Sequence, residues 1–233
     1  MKTLVFDVHG PYAMFRKQFT PVSPVSYPFP PPPTAMGIIG AICGYEKEEY
    51  LDKIGWETTK IGISISKSVK RYRCGINLVN TKGNKYFRLV GENPRSQIPH
   101  EFLKDVRYRI FVANAKERAM ADLEKHLKEG TNTYTVSLGI AQCLAEVEYI
   151  NTFQAKPLDK GEYKISSVIP MDQTDKISYE PNIRYGIFRI PERMRQDRVV
   201  TKYGEVVVNE ESIAIKAHTS QAYQIGEDIV LLF

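Results

Sequence analysis

FDVHGPYAMFRKQFTPVSPVSYPFPPPPTAMGIIGAICG, residues 6–44, carries the reading of the fold, because a strand, a proline-rich loop and a buried helix follow one another without a break. Residues 3–9 (TLVFDVH) alternate as a strand does, with Leu4, Phe6 and Val8 on one side and Thr3, Val5, Asp7 and His9 on the other. That pattern predicts one face in a core. Residues 10–33 then hold eight of the 14 prolines. Proline fixes φ and restricts the residue before it, so this reads as an extended surface loop and not a helix. A loop of that length inside a compact domain usually exists for a function. It contains Arg16 and Lys17 and no acid. It also presents Phe15, Phe19, Val22, Val25, Tyr27 and Phe29, more apolar groups than an extended segment is expected to bury against its own core. Exposed apolar groups mark a partner surface, and Phe19 and Phe29 are its candidates. Thr34 is placed to cap a helix over TAMGIIGAICGY that is apolar on most faces, with Gly37, Gly40 and Gly44 spaced for close approach by a neighbour.

Outward from this stretch, EKEEYLDKIG is a second amphipathic segment and KIGISIS a second strand, the opening of a ferredoxin-like βαβ unit. Residues 85–90 (KYFRLV) and 102–112 (FLKDVRYRIFV) read as further strands. Turn signals at Cys74-Gly75 and Lys82-Gly83-Asn84 predict a protruding β-hairpin inserted at about 67–95. AKERAMADLEKHLKE, residues 115–129, is an amphipathic helix with Ala119, Met120, Leu123 and Leu127 on one side and Gly130 as its stop. LGIAQCLAEVEYINTF predicts a turn, a short helix and a returning strand. The order is that of an α+β, ferredoxin-like (RRM-like) domain over 1–155 with one large insertion. From 156 to 233 the segments YKISSVIP, NIRYGIFRI, RVVTKYGEVVV, SIAIKA and DIVLLF predict a small β-rich C-terminal region, packed on the first sheet or partly pairing with it.

Charge is concentrated. Residues 60–95 hold nine Lys or Arg (Lys60, Lys67, Lys70, Arg71, Arg73, Lys82, Lys85, Arg88, Arg95) against Glu92, a local +8 in a chain whose formal net charge is +5. Charge of one sign in one stretch attracts polyanions. Tyr72, Tyr86 and Phe87 lie among these cations and offer flat faces for stacking bases. A solvated Lys-rich hairpin is the plainer alternative. With 42% hydrophobic residues, the 233-residue chain can bury a real core. No apolar run approaches the roughly 20 residues that span a bilayer, and no signal peptide is visible. Cys43, Cys74 and Cys143 are widely spaced, with no CxxC pair, as expected of thiols in a reducing cytoplasm. No phosphate loop, HExxH site or Ser/His/Asp set is present, and neither cofactor nor metal is expected.

The run 6–44 closely resembles the signature opening of the fifth core family of CRISPR-associated proteins, most closely its type I-B members. LGIAQCLAEVEYI, residues 138–150, is similar to the same family's LGxSexLA stretch. The resemblance implies a repeat-associated RNA-binding (RAMP) protein whose β-hairpin thumb wedges against the 5′ handle of the guide RNA. As a non-catalytic Cascade subunit it would also touch the backbone subunit and the large subunit, with target DNA beside its adjacent motif left open as a further contact. Phe15, Arg16, Lys17 and Tyr27 in the loop, with Lys67, Lys70, Arg71, Tyr72, Arg73, Lys82, Lys85 and Arg88 in the insertion, are the residues expected at RNA. They would grip phosphates and stack splayed bases.

Some relatives of another subtype cleave repeat RNA without metal, using a tyrosine, a lysine and a histidine. The candidates here are Tyr45, Lys125 and His126. Adjacent helical residues point about 100° apart, so Lys125 and His126 do not easily address one phosphate. Glu117, Asp122, Glu124 and Glu129 on the same helix repel RNA. The non-catalytic reading is therefore preferred, with a metal-independent endoribonuclease as the alternative.

Overall fold

A computed structural model describes residues 1–20, 22–80, 95–113 and 116–233. The chain opens with strand β1 (Lys2–Ala13) and a two-residue hairpin, β2 (Phe15–Arg16) and β3 (Ser26–Tyr27). Helices α1 (Pro32–Cys43) and α2 (Tyr50–Ile54) follow, then strands β4 (Lys60–Ile65), β5 (Lys70–Val79) and β6 (Arg95–Ala113). Helix α3 (Glu117–Glu129) leads into β7 (Glu146–Gln154).

These strands form one antiparallel sheet in the order β4-β6-β1-β7, with β5 paired to β6. Two β-α-β units interleave in it: β6 lies between β1 and β4, and β1 lies between β6 and β7. Strand β6 has two jobs. Its second half pairs with β1 (Thr3↔Ala113 to Ala13↔Leu103), while its first half pairs with β5 from Lys70↔Lys104 to Val79↔Arg95. The β5–β6 pair is a mostly exposed two-stranded arm. The strand expected over 102–112 is thus the second half of a 19-residue strand, and the one expected over 85–90 lies outside the described residues.

Helix α1 begins two residues earlier than its sequence suggests. Its N-cap is Pro31, with prolines in the first turn, so Thr34 is inside the helix and not its cap. Proline at the first helical position brings its own φ and lacks an N–H that would go unpaired there. The three glycines have three different roles. Gly44 is the left-handed C-cap at φ 72°, and Gly40 faces Tyr50, where a Cβ would stand 3.0 Å from that residue's Cβ. Beside Gly37, no atom outside its chain neighbours and its own helix backbone lies within 4 Å of where its Cβ would be. Helix α3 buries Ala119, Met120, Leu123 and Leu127 and ends at left-handed Gly130, as its periodicity predicts.

The expectation of a one-faced β1 is corrected. Leu4, Phe6 and Val8 pack with α1 and α3, but Val5 is also buried, among Phe111, Ala113, Ala155, Ile225, Val230 and Leu232. The C-terminal residues cover the second face. They include β8 (Lys156–Pro157), β9 (Gly161–Ile165), β10 (Ile169–Pro170), β11 (Lys176–Ser178), β12 (Tyr185–Met194), β13 (Val200–Asn209), β14 (Ile215–Thr219), β15 (Tyr223–Ile225) and β16 (Asp228–Val230). Three small sheets result, β10-β13-β12, β11-β14-β9 and β16-β15-β8. They seal the outer edge of β4: Phe233 N–H donates to Ile61 O (2.9 Å) and Val168 N–H to Ile63 O (2.7 Å). Val168, Ile190, Val206 and Val208 also enter the core beneath α1.

Residues 138–145 form no helix. Leu138 N–H reaches Cys143 O (2.8 Å), and Gly139 at φ 97° turns the chain against the Met14 carbonyl, while Met14 N–H donates to Leu138 O (2.9 Å). The two glycines make opposite predictions. Gly37→Ala should stabilise the isolated protein by up to about 1 kcal/mol, since only helix propensity changes. Gly139→Ala should destabilise it by more than about 1 kcal/mol, because the backbone is left-handed and the site is full. Urea unfolding of both variants checks the signs.

Candidate nucleic-acid interface

Strand β5 puts Lys70, Arg71 and Arg73 at the root of the arm, where acids from elsewhere meet them. Arg71 donates from both terminal nitrogens to Glu210 (2.8 and 2.5 Å), and Arg73 donates to Glu101 (2.9 and 3.1 Å). Lys70 lies 3.7 Å from Asp105. Glu210 and Glu101 are buried, and Arg184 Nε also reaches Glu210 at 3.1 Å. Burial pushes the Glu210 carboxyl up, but the Arg71 hydrogen bonds and the charges of Arg71, Arg184 and Lys17 outweigh it and hold the group below its ordinary value. Backbone contacts reinforce the root, with Val69 N–H donating to Glu210 O at 2.7 Å. Lys67 is exposed. Tyr72 is 47% exposed, and its ring leans on Tyr12 at 6.1 Å. Lys82, Lys85 and Arg88 lie outside the described residues.

The proline-rich loop folds back on its own domain. Phe15, Tyr27 and Phe29 are buried, Phe15 edge-on to Tyr108, and the Tyr27 hydroxyl donates to Arg189 O (2.9 Å). Phe29 has no exposed surface in this chain, against the expectation of a partner contact there, whereas Phe19 is 77% exposed. Lys17 is half-buried, its ammonium 4.7 Å from the Phe188 ring centre and 5.6 Å from that of Tyr27. Burial lowers its pKa against the pull of Glu101. Arg16 remains exposed.

The two stretches that carry the family resemblance meet in space. Residues from Met14–Gln18, Pro31–Ala41 and Thr135–Ile140 wall a cleft of about 500 Å³, closed on its fourth side by Pro191, Met194, Arg198 and Val200 of the β12–β13 hairpin. Arg16 and Arg198 line it, and no Asp or Glu does.

Tyr45, Lys125 and His126 lie elsewhere, on the helical face. The Tyr45 hydroxyl donates to Asp122 (2.8 Å) beneath the Lys53 ammonium, 4.9 Å from the ring centre. Burial and then that hydrogen bond push its pKa up. Lys125 is exposed, whereas His126 is half-buried with Nδ1 3.1 Å from Thr131 Oγ1. Adjacent positions thus differ in exposure, as the helical geometry requires.

Sequence reasoning expected the two strands of the β12–β13 hairpin but passed over its cations. Residues 184–202 contain Arg184, Arg189, Arg193, Arg195, Arg198 and Lys202 against Glu192 and Asp197, a signal visible to the same charge count that found the arm. It also missed buried Asp7, which takes Arg109 at 2.9 Å and Arg107 at 3.0 Å on the second face of the sheet.

These features define an α+β protein with a projecting basic arm and an acid-free, arginine-lined cleft. The chain matches the family described as CRISPR-associated protein (Cas_Cas5) over residues 3–209, and it belongs to that family. No curated protein sequence matches it. Its fold is similar to that of a CRISPR protein from Archaeoglobus fulgidus, at 14% identity and TM-score 0.54 over 99% of this chain and 98% of that one. It is also similar to a chain of a CRISPR RNA-guided surveillance complex, at 12% identity and TM-score 0.51 over 92% and 91%. A third likeness is to a chain of the type III-B Cmr-beta complex bound to cognate target RNA, at 11% identity and TM-score 0.50 over 93% and 86%. Among the described residues, no helix is long and apolar enough to cross a membrane.

The Arg71–Glu210 pair is structural whatever the arm binds. Glu210→Gln should cost about 1–3 kcal/mol, since two guanidinium groups lose a buried carboxylate. A depressed carboxylate gives its stability above the ordinary glutamate range, and that stability is lost as pH falls through the folded value. Acid unfolding curves should therefore be shallower for Glu210→Gln than for the native chain.

Proposed function

We propose that this chain is a non-catalytic subunit of a type I CRISPR effector complex, of the I-B kind, that binds the 5′ handle of the guide RNA. In this reading residues 1–155 are a ferredoxin-like RAMP domain, the β5–β6 arm is its thumb, and 156–233 is a second, β-rich region. The observation that carries it is the arm itself. Its described strands, 10-residue β5 and the first half of β6, are mostly exposed, and Lys82, Lys85 and Arg88 lie outside the described residues. Family membership and the likeness to chains of RNA-guided complexes support a place in such an assembly, in the cytoplasm. The backbone and large subunits are the proposed protein partners, with Phe19 and Val22, both at least three-quarters exposed, as the contact on the loop.

The non-catalytic part rests on chemistry. A general base for the RNA 2′-hydroxyl has to be able to take up a proton near neutral pH. Tyr45 is tied to Asp122 with its pKa raised, which favours its role as a strut.

Two measurements test the proposal. Affinity for repeat-derived RNA should fall with salt at a log–log slope of about 0.7 per phosphate engaged, and a flat dependence would sink the electrostatic reading. Incubation with repeat RNA in EDTA should leave the RNA intact, and His126→Ala should leave guide production unchanged. A handle-sized product lost on that substitution would favour the endoribonuclease.

A further inference from the structure

Asp105 is the one residue, among the described residues, that turns left-handed inside a strand. Its φ is 55° within β6, whereas the other non-glycine residues of positive φ, Asn182, Arg198 and Ser212, lie between strands. The Cβ of an L-residue is strained in that conformation, and after glycine it is aspartate and asparagine that adopt it most readily. The ion pair with Lys70, 3.7 Å long between two exposed groups, contributes little to holding it there.

Two changes of pairing coincide at this residue. Strand β1 meets β6 at Gly10↔Val106 and again at Tyr12↔Lys104, so Pro11 and Asp105, which stand opposite each other, are passed over. Proline has no N–H to give the ladder there. On the other side of β6 the neighbour changes, from β4 up to Ile65↔Tyr108 to β5 from Lys70↔Lys104. The register is the same on both sides of the gap, so no residue is inserted and the feature is not a β-bulge.

What changes is the side of the strand that faces the core. Side chains along a strand alternate between its faces. Val106, Tyr108, Ile110 and Val112 are core positions in that alternation, yet the next fully buried one toward the arm is Leu103, three residues back. Strand β1 does the same across Pro11, where Leu4, Phe6 and Val8 are followed by Ala13. The alternation is thereby exchanged for the root of the arm. Buried Leu103 and Glu101 stand opposite Arg71 and Arg73, so this face turns its cations to Glu101 and to Glu210 of the C-terminal region. Tyr72 and Phe102 pair on the other face, with the Tyr12 ring against both. An unbroken alternation would instead send Lys104 and Phe102 inward.

We propose that Asp105 is a positioning residue whose left-handed backbone, opposite Pro11, assigns the two faces of the arm: the Arg71 and Arg73 face to the C-terminal region, the Tyr12, Tyr72 and Phe102 face away from it. The assignment holds whatever the arm binds, and its test contains no RNA, so the RNA experiments above neither support nor sink it.

Two backbone hydrogen bonds report the facing. Val69 N–H donates to Glu210 O (2.7 Å) and Glu101 N–H to Pro24 O (3.0 Å), and both require the arm root as it stands. Amide hydrogen exchange, read residue by residue in the full chain, compares them with Phe6 and Ile110 in the central strands. Asp105→Asn and Asp105→Gly, which keep access to the left-handed region, should leave both root amides as protected as in the native chain. Asp105→Val, whose branched Cβ opposes positive φ, should make both exchange about tenfold faster or more, with Phe6 and Ile110 unchanged. Asp105→Ala, which keeps the fold if the valine does not, should show the same selective loss in smaller degree. Root amides that keep native protection in the valine and alanine variants overturn the proposal. So does a variant in which all four amides speed up together, since Asp105 would then serve global stability alone. Loss of the two root amides in Asp105→Asn as well would assign the effect to the Lys70 pair and overturn it equally.

Discussion

Glu210 accepts both terminal nitrogens of Arg71 and faces Arg184, while its own backbone carbonyl receives Val69 N–H. One residue of the C-terminal region thereby holds the root of the β5–β6 arm and the entry to β12. A carboxylate this buried is costly unless paired, and one guanidinium with two parallel donors is the geometry that offsets the cost. The arm's direction relative to the sheet, and the placing of the β12–β13 hairpin against the proline-rich loop, both depend on this junction. Tyr27 to Arg189 O, Lys17 over Phe188, and the hydrogen bond between Tyr203 and Gln18 continue it to the loop.

The loop then has a clear physical role. Its prolines hold an extended course along the domain, and the rings of Phe15, Tyr27 and Phe29 fasten it from beneath. Met14 N–H and Gly139 clamp one end, and Glu101 N–H to Pro24 O (3.0 Å) clamps the other. Among its described residues Phe19, Val22 and Arg16 face solvent, together with Gln18 and Ser23. A loop anchored at both ends presents such groups with little entropy left to lose on binding.

The elements with strong period were legible in the sequence, and those that depend on distant cover were not. Helix α3 shows its buried face through Ala119, Met120, Leu123 and Leu127, and its end through Gly130, because helix period and cap are local. Strand β1 looked one-sided because Asp7 sits among apolar neighbours. Only the approach of Arg107 and Arg109 makes that second face habitable for a carboxylate, and those residues are about 100 positions away. The short helix expected at 138–145 failed for a similar reason. Its propensity was outweighed by tertiary contacts with Met14. The cleft could not be read at all, since it exists only when four separate segments converge.

Counting charges along the chain locates a basic stretch but not the charge available to a ligand. Within 60–95, Arg71 and Arg73 are paired with Glu210 and Glu101, Lys70 faces Asp105, and Lys60 donates to the Tyr223 hydroxyl at 2.9 Å. All three acids lie outside the counted window, so the +8 overstates the field at the arm's root. The cations at the root are therefore partly neutralised by the fold's own acids. Arg16, Arg189 and Arg198 show the converse. They lie outside that window, and they face solvent with no ion-pair partner among the described residues. Among the described residues, the cations left without an ion-pair partner belong as much to the loop and the β12–β13 hairpin as to the segment where the count is highest.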